Sequence, residues 1–396
     1  MSKVKKNILT LVIAILVSLV AIEGILRIFE TQSYFVLWFV NKDGMTIYKP
    51  NTDKYILDSE DLKYHRTKVN SLGFLGETFD EEKVSSTLRI VVLGDSYVGV
   101  TGIDYDKIFP YLLTKKIQDL IFANPSSTYN KVEVLNFGMG GVSTVDEMQY
   151  YAKYAQKYHP DAVVLSFFLG NDTLDNSLNY EHKDAFLSSK EAWNTVPQYE
   201  STQLKSFVTL KNKIYRTAAS IRFADRVVRS SPKLNSFAVK LGLYRSPVKG
   251  ENGLDIISSH FYYYLDPLDA ERAQYLKFSS DLLNNFKKQL DKDGVKFALM
   301  FIPEGMTVDN NLVNSFKNDH PKLKAKDINF NPKGMEDKLI AALDPSIKIL
   351  NLRATMEKQE SENKEMYKGG TGHFTEGGHE VTAEVLSSFI FTSFFK

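Results

Sequence analysis

No cysteine occurs in the 396 residues. That absence excludes disulfides, a lipid-modified cysteine, thiolate metal sites and a cysteine nucleophile, and it leaves either redox compartment open. An excess of one charge is missing too. The chain has 49 Lys and Arg against 48 Asp and Glu, a formal net charge of +1, so nothing global points to nucleic acid. Only 7 histidines are present, with no histidine-rich metal-ligand spacing. Internal repeats and low-complexity tracts are also absent. What is present is an ordinary globular composition, 43% hydrophobic and 24% charged, in a chain long enough to bury a full α/β core. One catalytic domain with an insertion suits that length.

The N-terminus carries the localisation signal. Lys3, Lys5 and Lys6 precede an almost uninterrupted apolar run over residues 8–22, followed by Glu23, Gly24 and the apolar Ile25-Leu-Arg-Ile-Phe29. The lysines keep this end cytoplasmic and send the rest across a membrane. The uncharged stretch is short for a span and suits a signal-peptide core, but apolar character resumes past Glu23 and no small-x-small pair is well placed for cleavage. An uncleaved signal anchor over residues 1–29 is therefore favoured over a cleaved signal or a buried cytosolic helix. The remainder is expected to be extracytoplasmic, in the periplasm or at the cell surface.

Residues 30–86 are turn-rich and read as an irregular lead-in packing on the core of a catalytic domain over 87–396. Apolar runs at 88–93, 132–136, 162–168, 295–302 and 347–352 have the near-continuous hydrophobicity of strands covered on both faces. Helical stretches are expected at 109–121, 145–158 (stopped by His159-Pro160), 270–290 and from about Gly378. The alternation predicts βαβ units and a parallel sheet of about five strands. Residues 173–264 break the pattern as a helical insertion. Within it, residues 205–249 hold eleven Lys or Arg and one acid, Asp225. That region reads either as a solvated basic face or as a cap against anionic lipid or an anionic substrate.

Three strands end in short polar or glycine-rich segments, Gly94-Asp95-Ser96, Gly138-Met-Gly-Gly141 and Gly170-Asn171-Asp172, where an open parallel sheet gathers its site. Gly372-His373 adds an imidazole. A serine hydroxyl needs such a base before it attacks an acyl carbon. Ser96 is expected to open a helix and offer its own N–H to an oxyanion, with the Gly141 N–H and the Asn171 carboxamide as further donors. Asp95 and Asp172 read as supporting turn carboxylates; as a metal pair they lack partners. Each segment alone is often merely a turn or cap. Their order and placement carry the weight.

These four segments resemble the four blocks of the SGNH, or GDSL, hydrolase family in their usual order, over about residues 70–180 and 270–396. Val69-Asn-Ser-Leu-Gly-Phe-Leu-Gly76 and Pro160-Asp-Ala-Val-Val-Leu165 further resemble members with an N-terminal membrane anchor. The resemblance implies a three-layer, flavodoxin-like α/β/α fold and ester chemistry without metal or cofactor. It makes Ser96 the nucleophile, Ser96, Gly141 and Asn171 the oxyanion donors and His373 the base. His379 is left to packing, since His373 has the family's spacing to Gly378. One departure stands out: the family's aspartate two or three residues before the histidine is replaced by Thr371 and Gly370. A backbone carbonyl, Glu376, an acid from elsewhere or a simple dyad are the alternatives. The expected activity is cleavage of an O-acyl, foremost O-acetyl, ester on an extracytoplasmic glycan or lipid. An O-acetyltransferase using the same site, or a silent scaffold in envelope polysaccharide assembly, are the competing readings.

Overall fold

Five apolar segments pair as parallel strands: β1 (Thr87–Gly94), β2 (Lys131–Asn136), β3 (Ala162–Phe168), β4 (Lys296–Ile302) and β5 (Lys348–Asn351). Their order across the sheet is β5-β4-β3-β1-β2. The computed structural model describes residues 3–29, 38–41, 43–58, 63–198, 218–231, 233–234, 237–238, 259–319, 328–370 and 372–396. Much of the basic stretch 205–249 therefore lies outside the described residues.

Strand side chains alternate between the two faces, and both faces are covered. Val91, Leu93, Val163, Leu165, Phe297 and Leu299 pack against α3 (Thr144–Tyr150), α6 (Ala270–Lys292) and α7 (Gly334–Ala342), through Met148, Phe286 and Leu339 among others. Ile90, Val92, Val134, Val164, Ala298 and Met300 pack against α2 (Phe109–Phe122), α8 (Arg353–Ser361) and α9 (Glu376–Ile390), through Leu113, Met356 and Leu386. The result is a three-layer α/β/α sandwich with the flavodoxin-like strand order. In that order the chain leaves the middle of the sheet in opposite directions, so the crevice beyond the C-terminal ends of β1 and β3 is open for a ligand.

Two buried arginines are held by paired charge. Arg89 on β1 faces Glu133 on β2, with Nη2 to Oε2 at 2.7 Å, and also donates to the Tyr158 carbonyl at 2.7 Å. Arg353 at the start of α8 pairs with Glu336 at 2.7 Å and donates to the Thr307 and Pro332 carbonyls.

The expected helix over 145–158 forms, but not as regular α-helix throughout. After Tyr150 the chain widens into a π-helical turn, Tyr151–Ala155, tightens to a 3₁₀ turn, Gln156–Tyr158, and stops at His159 with φ +50° ahead of Pro160. The lead-in is more regular than its turn-rich sequence suggests, since Thr52–Leu57 and Tyr64–Val69 form an antiparallel hairpin whose His65, Thr67 and Val69 are buried. At the N-terminus α1 (Lys3–Phe29) is long and apolar enough to cross a membrane, and its apolar window is not covered by the rest of the chain.

Candidate active site

Strand β1 runs straight into Asp95 and Ser96. The helix expected to open here is a single turn, closed by the Gly99 N–H donating to the Asp95 carbonyl at 2.8 Å, and regular helix begins only at Phe109. The reason is packing: a Cβ at Gly99 would lie 2.6 Å from the Met139 backbone nitrogen, so the chain presses against the glycine turn after β2 and cannot coil on. The turn leaves Ser96 half-buried at the sheet edge.

His373 comes from the far end of the chain. Thr375 caps α9, its Oγ1 accepting from the Gly378 N–H at 3.2 Å, and a bridge between Tyr367 and Phe374 fixes the segment before it. The His373 carbonyl accepts from the Lys368 N–H at 2.8 Å. So held, its Nε2 lies 2.8 Å from Ser96 Oγ. The Tyr97 ring packs beside the imidazole, 5.3 Å between centroids, and its hydroxyl donates to the Gly372 carbonyl at 3.2 Å. The two residues expected to exchange a proton are brought together across 277 positions of sequence.

The other expected residues line the same rim. Gly141 sits at φ +72°, a backbone region that favours glycine. The turn before it is tied to the Ser96 turn through Tyr48, whose hydroxyl donates to the Gly99 carbonyl and accepts from the Gly140 N–H at 3.3 Å. Asn171 follows β3 at the start of α4 (Asp172–Ser177), and its Nδ2 donates one hydrogen to Asp175 at 2.7 Å.

Asp95 Oδ1 accepts from the Tyr97 N–H at 2.9 Å and Asp172 Oδ2 from the Phe168 N–H at 2.8 Å, so each carboxylate pins its own turn. Burial pushes the Asp95 carboxyl up to about 6, although the amides of Tyr97 and Ser96 and the nearby His373 pull it down. Glu147 on α3 was not anticipated. It is fully buried, neither oxygen has a hydrogen-bond partner, and burial together with the facing Asp95 and Asp146 raises it well above the usual carboxylate range. Asp172 is raised likewise by burial and by Asp95 and Glu147.

Two possible triad acids are resolved by position. Glu376 pairs with Lys107 at 2.9 Å with about half of its side chain exposed. Glu304, which no sequence block singles out, follows β4 and Pro303 at the same edge of the sheet. It is 8% exposed, and a Cβ on Gly170 would lie 2.3 Å from its Oε2. Burial pushes it up to about 7 against the pull of His373. The sequence did hold a signal: an acid directly after a buried strand, at the edge that carries the other segments. Thr371, one of the two positions where the family's aspartate is missing, lies outside the described residues. His379 is buried beneath the site. Its Nδ1 accepts from the Phe109 N–H at 3.2 Å, its ring stacks on Phe109, and burial lowers it to about 3, so it stays neutral.

Strand order, with segments after β1, β2 and β3 and before α9 converging on one rim, decides the architecture. The fold is a three-layer α/β/α sandwich with flavodoxin-like strand order. Solved structures similar to the chain include a two-domain esterase active on acetylated mannans, with TM-score 0.39, 9% identity and coverage of 77% of this chain and 49% of that one. Others are a lipase/acylhydrolase from Enterococcus faecalis, with TM-score 0.35, 13% identity and coverage of 77% and 96%, and a catalytic mutant of an acetylxylan esterase from Geobacillus stearothermophilus, with TM-score 0.37, 9% identity and coverage of 78% and 96%. The chain spans about half the length of the mannan-active esterase. No protein-family model matches the chain, and no curated protein matches it by sequence.

Proposed function

We propose that the chain is a membrane-anchored serine hydrolase that cleaves an O-acyl ester outside the cytoplasm. The observation that carries this reading is the 2.8 Å contact between Ser96 Oγ and His373 Nε2 at the crevice of the sheet. In this reading His373 takes the Ser96 proton as the oxygen attacks the acyl carbon. The tetrahedral oxyanion is met by the Ser96 and Gly141 N–H groups and by Asn171 Nδ2. The imidazolium then protonates the departing alcohol, leaving an acyl-serine that water resolves by the same relay in reverse. Glu304 stabilises the imidazolium by facing it with a carboxylate, the part left vacant at Gly370 and Thr371. Asp95 and Asp172 hold the two turns in place. The lysines in the first turn of α1 orient the anchor with its N-terminus inside.

An acetyl ester on an envelope glycan or lipid is the substrate class we assign. A sugar hydroxyl replacing water at the second step would make the same site an acetyltransferase. Incubating the purified chain with 4-nitrophenyl acetate, with and without acetyl-free glycan, distinguishes them. Acetate release that Ser96→Ala abolishes supports the hydrolase. Acetylated glycan in place of acetate supports the transferase. Turnover equal in wild type and Ser96→Ala removes Ser96 from its role, and turnover in neither favours a silent scaffold.

A further inference from the structure

Helix α5 (Ala219–Ser230) begins on the membrane helix. The Glu23 carboxylate of α1 accepts from the Ala219 N–H at 2.9 Å, the Ser220 N–H at 3.0 Å and the Ser220 hydroxyl at 2.8 Å. Ala218, at the cap position, has no side chain able to satisfy these donors. The cap is therefore supplied from 196 positions away, and Arg27 holds the same carboxylate at 2.8 Å.

That cap fixes a depth. Glu23 lies seventeen residues beyond Lys6 on one continuous helix, a rise of about 25 Å. The hydrocarbon core of a bilayer is about 30 Å thick. With Lys6 at one edge of the hydrocarbon core, Glu23 comes to within about 5 Å of the opposite edge, and α5 starts near that level.

The sequence of α5 suits that place. Ile221, Phe223 and Val227 are exposed, at 42, 50 and 41%, as are Leu234 and Phe237 just beyond the helix. On a helix of 3.6 residues per turn, positions 221, 223, 224, 227 and 228 share one broad side. Positions 222, 226 and 229, all arginine, fall together on the other. A helix with aromatic and aliphatic residues on one side and arginines on the other is the type that lies in the plane of a membrane interface. A large exposed apolar face is uncommon on a soluble surface. Here it adjoins the helix read above as a membrane span, and the charge on the other side complements anionic head groups.

We propose that α5 lies in the head-group layer of an anionic bilayer, its apolar side at the acyl boundary and its arginine-bearing side toward lipid phosphates, docked on Glu23 of the anchor. This rests on the reading of α1 as a membrane span. The catalytic domain is thereby moored at two points, not tethered by one helix.

The cysteine-free chain allows single-site spin labelling of the full-length protein. Leu16→Cys, Ile221→Cys, Phe223→Cys and Lys277→Cys, each nitroxide-labelled, would be placed one chain per nanodisc containing about one-third phosphatidylglycerol. Accessibility to oxygen and to a nickel chelate then reports lipid or water. Labels at 221 and 223 are expected to favour oxygen, as at 16, while 277, on a side chain 71% exposed, favours nickel. Labels at 221 and 223 that behave like 277, or that are shielded from both reagents by protein, overturn the proposal while leaving the span intact. A label at 16 that favours nickel overturns the span itself. Glu23→Gln combined with Phe223→Cys is expected to raise nickel accessibility several-fold; no change removes the docking role of Glu23. Discs of phosphatidylcholine alone are expected to shift the 223 label toward nickel, and identical readings in both lipids overturn the anionic assignment.

Discussion

Gly170 and Glu304 touch across the gap between the ends of β3 and β4, so closely that a single added carbon on the glycine would meet the carboxylate at 2.3 Å. The contact joins the segment bearing Asn171 to the acid proposed to stabilise the His373 imidazolium, and it makes the glycine a spacer for that acid. Gly170→Ala should displace Glu304 or the adjoining Phe168 ring. Lowered kcat for 4-nitrophenyl acetate with a near-normal melting temperature is the expected result. Unchanged kcat would mean the acid has no part in the reaction.

Glu304→Gln keeps the shape and removes the charge. A charge-assisted interaction is worth about 1.5–3 kcal/mol, so kcat should fall roughly 10- to 100-fold with KM little changed. Wild-type activity should climb as Glu304 ionises near pH 7. In the variant that contribution to the pH–rate profile should vanish, and superimposable profiles would exclude the residue.

Ser96→Ala and His373→Ala should each lower kcat on the order of 10⁴-fold or more, and the double variant should be scarcely worse than either, because the two act as one unit. Labelling by a fluorophosphonate should disappear in Ser96→Ala. Additive losses would separate the two residues.

Asn171→Ala should cost about 2.7–4 kcal/mol of transition-state stabilisation, roughly 10²- to 10³-fold in kcat. Asp175 would lose the hydrogen bond from Asn171 Nδ2 at the same time. Asp175→Asn, measured alongside, distinguishes loss of the oxyanion donor from disturbance of the turn, since it spares the Asn171 carboxamide.

Stability should increase as the medium is acidified from pH 7.5 to about 5.5. Asp95 and Asp146 are raised to about 6 and Glu304 to about 7, and burial holds Glu147 and Asp172 well above the usual carboxylate range. A carboxyl raised by folding stabilises fully below its unfolded value, near 4, and loses that contribution as pH climbs through the folded value. His379, lowered to about 3, works in the opposite direction below pH 6.5, but it is one group against five. Thermal melts should therefore show a higher Tm at pH 5.5. A flat or inverted profile would contradict the burial of these acids.

The sheet was legible because its strands are covered on both faces, which requires runs such as Ala162–Phe168, where nothing polar but Ser166 interrupts the apolar residues. Helix α9 was legible from its stripe of Leu386 and Ile390. The change from α- to π-helical pattern after Tyr150 was not, since a π-helical turn has helical composition. The hairpin at 52–69 was hidden because its inward positions include His65 and Thr67, polar residues that carry no hydrophobic alternation. The Ser96 and His373 segments could be proposed from sequence because each borders a strand or helix end. Glu304 could not be paired with His373 in advance, since only the register of β4 beside β3 brings it to Gly170.

Tyr48, far upstream of the sheet, bridges Gly99 and Gly140, and Lys368 reaches from the His373 segment to Asp58 and the Gly102 carbonyl, both at 2.6 Å. The leader is thus a brace behind the reactive rim. A shortened version beginning at Thr87 would keep every residue assigned to the chemistry yet leave its loops slack. Any cut that removes α1 and keeps this brace whole has to fall upstream of Met45.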